Sequence, residues 1–193
     1  MQLYLILLKQ ILESVVNSVI RVIAGKHKGR KLAFLSDELT RPTQDRVKEA
    51  IFSALSSELI DAHVLDLFAG SGSVGIEALS RGAKKATFVD IRLDAINCIR
   101  HNLNLINEEA EVIKSDYQAF LNKVNLRKFD IIFVDPPYDF KYIDQLIKYL
   151  CDNIKDKAII VFETSNVHDF EELNFSKIKR YKFRQKYVYI MRR

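Results

Sequence analysis

Cysteine, glycine and proline are all scarce in this chain: its 193 residues contain two, six and three of them. The cysteines, Cys98 and Cys151, stand far apart with no C-x-x-C pair, and the four histidines make no ligand spacing beside them. That excludes a disulfide framework and a zinc-ribbon-type centre, so a reduced, intracellular, metal-free protein is expected. No internal repeat, low-complexity tract or Pro/Ser-rich linker occurs. A membrane span is not expected either. The nearest candidate, Leu3 to Leu8, has no basic residue before it, is interrupted by Lys9, and falls far short of the ~20 apolar residues that cross a bilayer. Leu5, Leu8, Leu12, Val15 and Val19 follow helical spacing, so residues 1–18 read as a helical N-terminal extension packing on the domain or a partner, or as sequence upstream of the functional core.

What is present suits one domain. Hydrophobic residues make up 48% of the chain, enough for a single core. Thirty Lys and Arg against 25 Asp and Glu favour a polyanionic partner without identifying it. From Val64 the chain alternates short β-rich runs with helix-period segments. Val64 to Phe68, Ala86 to Asp90, Glu111 to Ile113, Asp130 to Val134 and Ala158 to Phe162 read as strands, which predicts a parallel sheet covered on both faces. Lys179 to Phe183 and Tyr187 to Met191 read as a closing antiparallel hairpin. Upstream, Val47, Ala50, Ile51, Ala54 and Leu55 mark one face of a helix for which Thr43 is the expected N-cap. Between Arg21 and Leu35, the basic segment from Lys26 to Lys31 reads as a turn joining two short extended pieces.

Three patterns carry chemistry. Asp66 to Gly75 follows a strand and opens a helix, the setting in which glycines let backbone approach a nucleotide-type ligand. Gly70, Gly72 and Gly75 also fit the dinucleotide fingerprint, so the loop alone does not choose between ligands. Asp90 ends the second strand, where it can accept from ribose hydroxyls. Asp116 follows the third, where it can accept from an adenine amino group or cap a helix. Asp66 can face the positively charged amino-acid end of a sulfonium nucleoside, whereas a pyrophosphate would favour no carboxylate there. The third pattern is Asp135-Pro136-Pro137-Tyr138, directly after an apolar strand. Successive prolines fix φ and donate no hydrogen bond, leaving carbonyls as acceptors beside Asp135. An exocyclic amino group needs such acceptors, because its lone pair becomes nucleophilic only as it leaves conjugation with the ring. Tyr138 offers a face for an extruded base, with Phe140 and Tyr142 as possible helpers; the bland reading is a Pro-Pro turn with a surface tyrosine.

Taken in order, Asp66 to Gly75, Asp90, Asp116 and Asp135 to Tyr138 resemble the motifs of class I methyltransferases acting on amino groups. Arg21 to Gly25, Gly29 to Leu32, and Arg41-Pro42-Thr43 with Asp45 to Glu49 resemble the N-terminal signature of the bacterial RsmD family, which methylates guanine N2 in 16S ribosomal RNA. The resemblance runs from about Val19 to the C-terminus. It implies a Rossmann-like α/β fold with a mostly parallel seven-stranded sheet and S-adenosylmethionine as methyl donor, released as S-adenosylhomocysteine. The expected cofactor residues are Asp66, Phe68, Ala69, Gly70, Gly72, Asp90, Ile91, Asp116 and Tyr117, and the expected catalytic residues Asp135, Pro136, Pro137 and Tyr138. Lys26, Lys28, Arg30, Lys31, Arg41 and Thr43 are the expected RNA contacts, some of which would otherwise be ordinary solvated charge; Lys179, Lys182, Arg184 and Lys186 form a second patch. A substrate-side arm and helix (19–60) would precede a catalytic core (61–193) in one domain, a cytoplasmic monomer working on small-subunit ribosomal RNA. DNA adenine-N6 methylation, protein glutamine-N5 methylation and a non-catalytic RNA-binding assembly module are the alternatives. Departures from the family pattern are residues 1–18, Asp90 in place of the frequent glutamate, and a C-terminal hairpin without the expected glycine.

Overall fold

A computed structural model describes residues 20–35, 42–184 and 186–193, with the backbone alone for 42–44; the expected helix in residues 1–18 and Arg41 lie outside the described residues. Two short strands, β1 (Ile20–Arg21) and β2 (Lys31–Leu32), pair antiparallel around the basic turn, as the sequence predicts. Helix α1 (Pro42–Ala54) follows. It begins at Pro42, so Thr43 lies within its first turn and is not its N-cap. Proline suits that first position, where its fixed φ is helical and its missing N–H would have had no partner.

The remaining elements are β3 (His63–Asp66), α2 (Ser73–Ser80), β4 (Lys85–Asp90), α3 (Leu93–Ile106), β5 (Glu111–Lys114), α4 (Tyr117–Leu121), β6 (Ile131–Val134), α5 (Ile143–Asn153), β7 (Ile159–Thr164), β8 (Lys177–Phe183) and β9 (Lys186–Arg192). Strands β3 to β9 form one sheet in the order β5-β4-β3-β6-β7-β9-β8, the first five parallel and β9 antiparallel to both its neighbours. The sheet is the one expected, and the mostly apolar parallel strands are continuous because both faces are covered. Along β6, Ile131 and Phe133 pack with Val47, Ile51 and Phe52 of α1, whereas Ile132 and Val134 pack with Leu146, Ile147 and Leu150 of α5. Phe88 of β4 lies on the first side with α2 and α3, among Ile76, Ile99 and Leu103.

Two buried polar side chains bind the N-terminal arm to this scaffold. Glu77, 0% exposed on α2, accepts from the N–H groups of Ile23 (2.8 Å) and Ala24 (3.0 Å) and from Arg81 Nε (2.6 Å). Lys48 Nζ of α1 lies 3.8 Å from the same carboxylate. Burial pulls Lys48 below the ordinary lysine range, an effect that Glu77 opposes. Asn102 of α3 accepts from Ala33 N–H (2.8 Å) and donates to the carbonyls of Ala33 (2.8 Å) and Ser71 (3.0 Å), which ties the arm to the glycine-rich loop.

Candidate active site

Every parallel strand ends at the same edge of the sheet, and the three sequence patterns meet there. At Gly72 the chain enters α2 with φ 79, a left-handed conformation that costs glycine little, and glycine has no side chain to cap the helix. Asp66 caps it from the end of β3: its Oδ2 accepts from Gly75 N–H at 3.0 Å. Asp90 closes the loop from the other side, with Oδ2 accepting from Gly70 N–H and Oδ1 from Arg92 N–H, both at 2.9 Å. A carboxylate can accept in several directions, so Asp90 is oriented by backbone donors while retaining capacity for hydroxyl donors. Ala69 N–H donates to the Val89 carbonyl (3.0 Å), which holds the loop against β4. Beside Asp90, Ile91 and Leu93 are large apolar side chains left exposed, a surface on which a flat ring can rest.

Gly75 is required for packing. A Cβ there would lie 2.3 Å from Phe88 Cε1. Gly75→Ala is therefore expected to cost about 1–3 kcal/mol of stability and to weaken cofactor binding, readable by thermal melting with and without ligand; an unchanged melting temperature would rule out tight packing of α2 on β4.

Asp116 takes the capping role. Its Oδ1 accepts from the N–H groups of Gln118 (2.9 Å) and Ala119 (3.2 Å) at the start of α4. Tyr117, the next residue, stacks within an aromatic cluster that the sequence left in pieces. Phe68 and Tyr117 have ring centroids 5.5 Å apart, and Phe140 lies 5.5 Å from Phe68 and 5.2 Å from Tyr117. Tyr142 adjoins Phe140 at 6.3 Å. This cluster connects the glycine-rich loop, the Asp116 turn and the segment after Tyr138. Burial and the neighbouring Asp116 push the Tyr117 phenol up, so it stays neutral.

Strand β6 is the neighbour of β3, with Asp66 opposite Phe133, so Asp135, two residues further on, emerges beside the start of the glycine-rich loop. Asp135, Pro137 and Tyr138 are exposed, Tyr138 to 82%. Phe140 N–H donates to the Pro137 carbonyl (3.0 Å), closing the turn beneath Tyr138. Sequence reasoning missed a further pair here: Lys186 of β9 forms an ion pair with Glu163 near the end of β7. Burial pulls Lys186 down, but the negative charges of Glu163 and Asp135 outweigh it and hold the ammonium above its ordinary value.

The basic turn lies elsewhere. Lys26 N–H donates to the Ser80 carbonyl (2.8 Å), and Lys26 Nζ and His27 Nε2 both lie 2.6 Å from Glu108 Oε1. Ser80 ends α2 and Glu108 follows α3, so Lys26 sits at the amino edge of the sheet and Lys28 and Arg30 are exposed close by. The eight residues of α2, about 12 Å of helix, lie between this turn and the glycine-rich loop. Lys31 is exposed on β2, and Thr43 lies in the first turn of α1. Among the described residues, no group of three His, Cys, Asp or Glu gathers to hold a metal, and no helix is long and apolar enough to cross a membrane.

A seven-stranded sheet in this order, with an acid-flanked glycine-rich loop beside an Asp-Pro-Pro-Tyr turn, defines a class I methyltransferase. The family model described as Conserved hypothetical protein 95 matches residues 20–192. The chain is 44% identical over 151 residues, 75% of its length and 78% of the relative's, to the ribosomal RNA small subunit methyltransferase D of Haemophilus influenzae, and 38% identical to the Escherichia coli protein of the same name over 75% of this chain and 74% of that one. It belongs to that family, the RsmD family. The solved Escherichia coli protein yhhF superposes with a TM-score of 0.80 at 33% identity, over 91% of this chain and 98% of that one. The T. thermophilus 16S rRNA N2 G1207 methyltransferase, solved with AdoMet and guanosine, has a TM-score of 0.72 over 91% of this chain and 50% of its own; at 19% identity the likeness is one of fold.

Proposed function

We propose that this chain transfers a methyl group from S-adenosylmethionine to the exocyclic N2 of a guanine in 16S ribosomal RNA, acting on the small ribosomal subunit or its precursor. One observation carries the reading: the acid-flanked glycine-rich loop and Asp135-Pro136-Pro137-Tyr138 follow adjacent strands at one sheet edge. The relatives named for small-subunit ribosomal RNA supply the substrate class.

The donor set fits the cofactor. Gly70 and Gly72 allow close approach of backbone, Asp90 faces the ribose, Asp66 the amino-acid end, and Ile91 with Tyr117 the adenine, whose amino group Asp116 can meet beyond its capping bonds. When bound, S-adenosylmethionine supplies an electrophilic methyl group and leaves as S-adenosylhomocysteine. The protein's part is to hold the acceptor. Asp135 and a carbonyl of the proline turn accept the two amino hydrogens of the base, so N2 is held in the geometry in which its lone pair points at the methyl. The Asp135 carboxylate also offsets positive charge that develops on N2. Tyr138 stacks on the extruded guanine.

Tyr138→Ala should raise KM for RNA by roughly 5- to 150-fold, the equivalent of 1–3 kcal/mol of base stacking, with little change in melting temperature because the ring is so exposed. Unaltered KM in steady-state assays would remove Tyr138 from the acceptor site. The function itself is tested with radiolabelled S-adenosylmethionine against small subunits, free 16S RNA, DNA and protein, followed by mapping of the labelled atom. Label at one guanine N2 supports the reading. Label on DNA adenine or protein glutamine overturns the substrate, and cofactor binding without transfer to any of the four points to a non-catalytic assembly role.

A further inference from the structure

Positive charge is concentrated toward the two ends of the chain, most heavily at the C-terminal one. Residues 173–193 hold eight of the 30 lysines and arginines and no aspartate or glutamate, so the remaining residues carry 22 cations against 25 anions. The C-terminal hairpin is the more heavily charged of the two long segments without anions, the other being residues 14–36 with five cations. Strand β8 runs parallel to β7, because β9 is antiparallel to both. Phe183 and the reverse turn at Arg184 (φ 50) consequently stand at the carboxyl edge, the edge of Asp135 and Tyr138. The sheet order places β8 three strands from β6, about 14 Å away.

The outer surface of β8 is open. Lys177 and Lys179 on one face of this edge strand, Arg180 and Lys182 on the other, and Arg184 at the turn are exposed, and among the described residues none is tied into an ion pair. Aromatic rings are interleaved with them. Arg180 and Lys182 sit 6.0 and 5.8 Å from the Tyr187 ring centroid, and Tyr181 and Phe183 stack at 6.5 Å. One or two lysines are enough to stop an edge strand from pairing with another chain. Six cations between Lys177 and Lys186, with no anion among them, exceed that need and match a phosphate backbone. Lys186, paired with Glu163 and within the field of Asp135, joins this surface to the acceptor loop. The N-terminal turn lies at the opposite edge, with Lys26 paired to Glu108 and Lys28, Arg30 and Lys31 exposed.

We propose that the open edge of the C-terminal β8–β9 hairpin is where RNA backbone runs as it enters or leaves the acceptor loop, its phosphates met by Lys179 from one face of β8, Lys182 from the other and Arg184 at the turn. The inference rests on the reading of the chain as an RNA methyltransferase. Its test compares the full-length protein with Lys179→Gln/Lys182→Gln/Arg184→Gln, sparing Lys186 because of its ion pair, and with Lys28→Gln/Arg30→Gln/Lys31→Gln at the other edge. Binding to 16S RNA is measured across a salt series, binding of S-adenosylmethionine by calorimetry, and transfer by label incorporation.

The hairpin variant should bind RNA roughly tenfold to a hundredfold more weakly near 0.1 M salt, with the slope of log K against log salt reduced by about 2, as expected for three lost phosphate contacts on a single strand. Cofactor affinity should be unchanged. Wild-type protein that binds and methylates RNA while the hairpin variant keeps its affinity and slope overturns this inference alone. A full loss of slope in the N-terminal variant with none in the hairpin variant assigns the backbone to the other edge and overturns it as well. Wild-type protein that neither binds nor methylates RNA overturns the functional reading, and the hairpin assignment with it.

Discussion

Asp135→Ala is expected to lower kcat by about a hundredfold to a thousandfold, the range found when one preorganised partner of a developing charge is removed, while S-adenosylmethionine binds as before. The separation of effects follows from the topology. Asp135 directly follows β6, the neighbour of β3, whereas the groups that hold the glycine-rich loop, Asp66 and Asp90, bond to Gly75 and Gly70. Asp135 is exposed, so its loss leaves no core cavity. Asp135→Asn separates two contributions: the amide keeps one acceptor oxygen for the amino group but loses the charge, so its kcat should fall between those of the wild type and the alanine variant. Single-turnover rates together with cofactor affinity measure both. A kcat within about threefold of wild type for the alanine variant, well outside the expected range, would take Asp135 out of the chemistry.

The second large effect is on stability. Glu77→Ala removes the acceptor of two arm N–H groups and of Arg81, and leaves Lys48 beside Arg81 without its carboxylate. Removing one member of a buried ionic cluster typically costs about 3–5 kcal/mol, because the remaining charges keep their desolvation penalty. Urea unfolding should register that loss, and proteolysis should cut first in the freed arm near Ile23. A variant within about 1 kcal/mol of wild type would mean that water satisfies these groups as well as Glu77 does.

Much of the fold was legible because its signals are local. The apolar runs ending at Asp66, Asp90 and Val134 are strands whatever surrounds them, and their order with the intervening helices leaves a parallel sheet as the natural arrangement. The Asp135-Pro136-Pro137-Tyr138 turn was equally plain, since two prolines specify an extended segment with no donors. Thr43 was misplaced by two positions, because proline at the first helical residue competes with threonine at the cap and nothing in the sequence decides between them. Asp116 had two readings, and the structure gives its Oδ1 to the α4 cap. Glu77 and Asn102 went unnoticed. Their only signal is an isolated polar residue on an otherwise apolar helical face, common enough on surface helices to pass without remark.

By itself the sequence determined the strands, the glycine-rich loop, the acceptor turn and hence the class of chemistry, since each depends on residues within a few positions of one another. Only the tertiary structure decided which charges are committed and which remain open. Glu77 meets Ile23 across 54 residues and Lys186 meets Glu163 across 23, separations at which no periodicity reports a contact. It also decided which basic segment shares an edge with Asp135. The placement of β9 between β7 and β8 carries Arg184 and Lys186 to that edge, and the direction of α2 carries Lys26 to the opposite one.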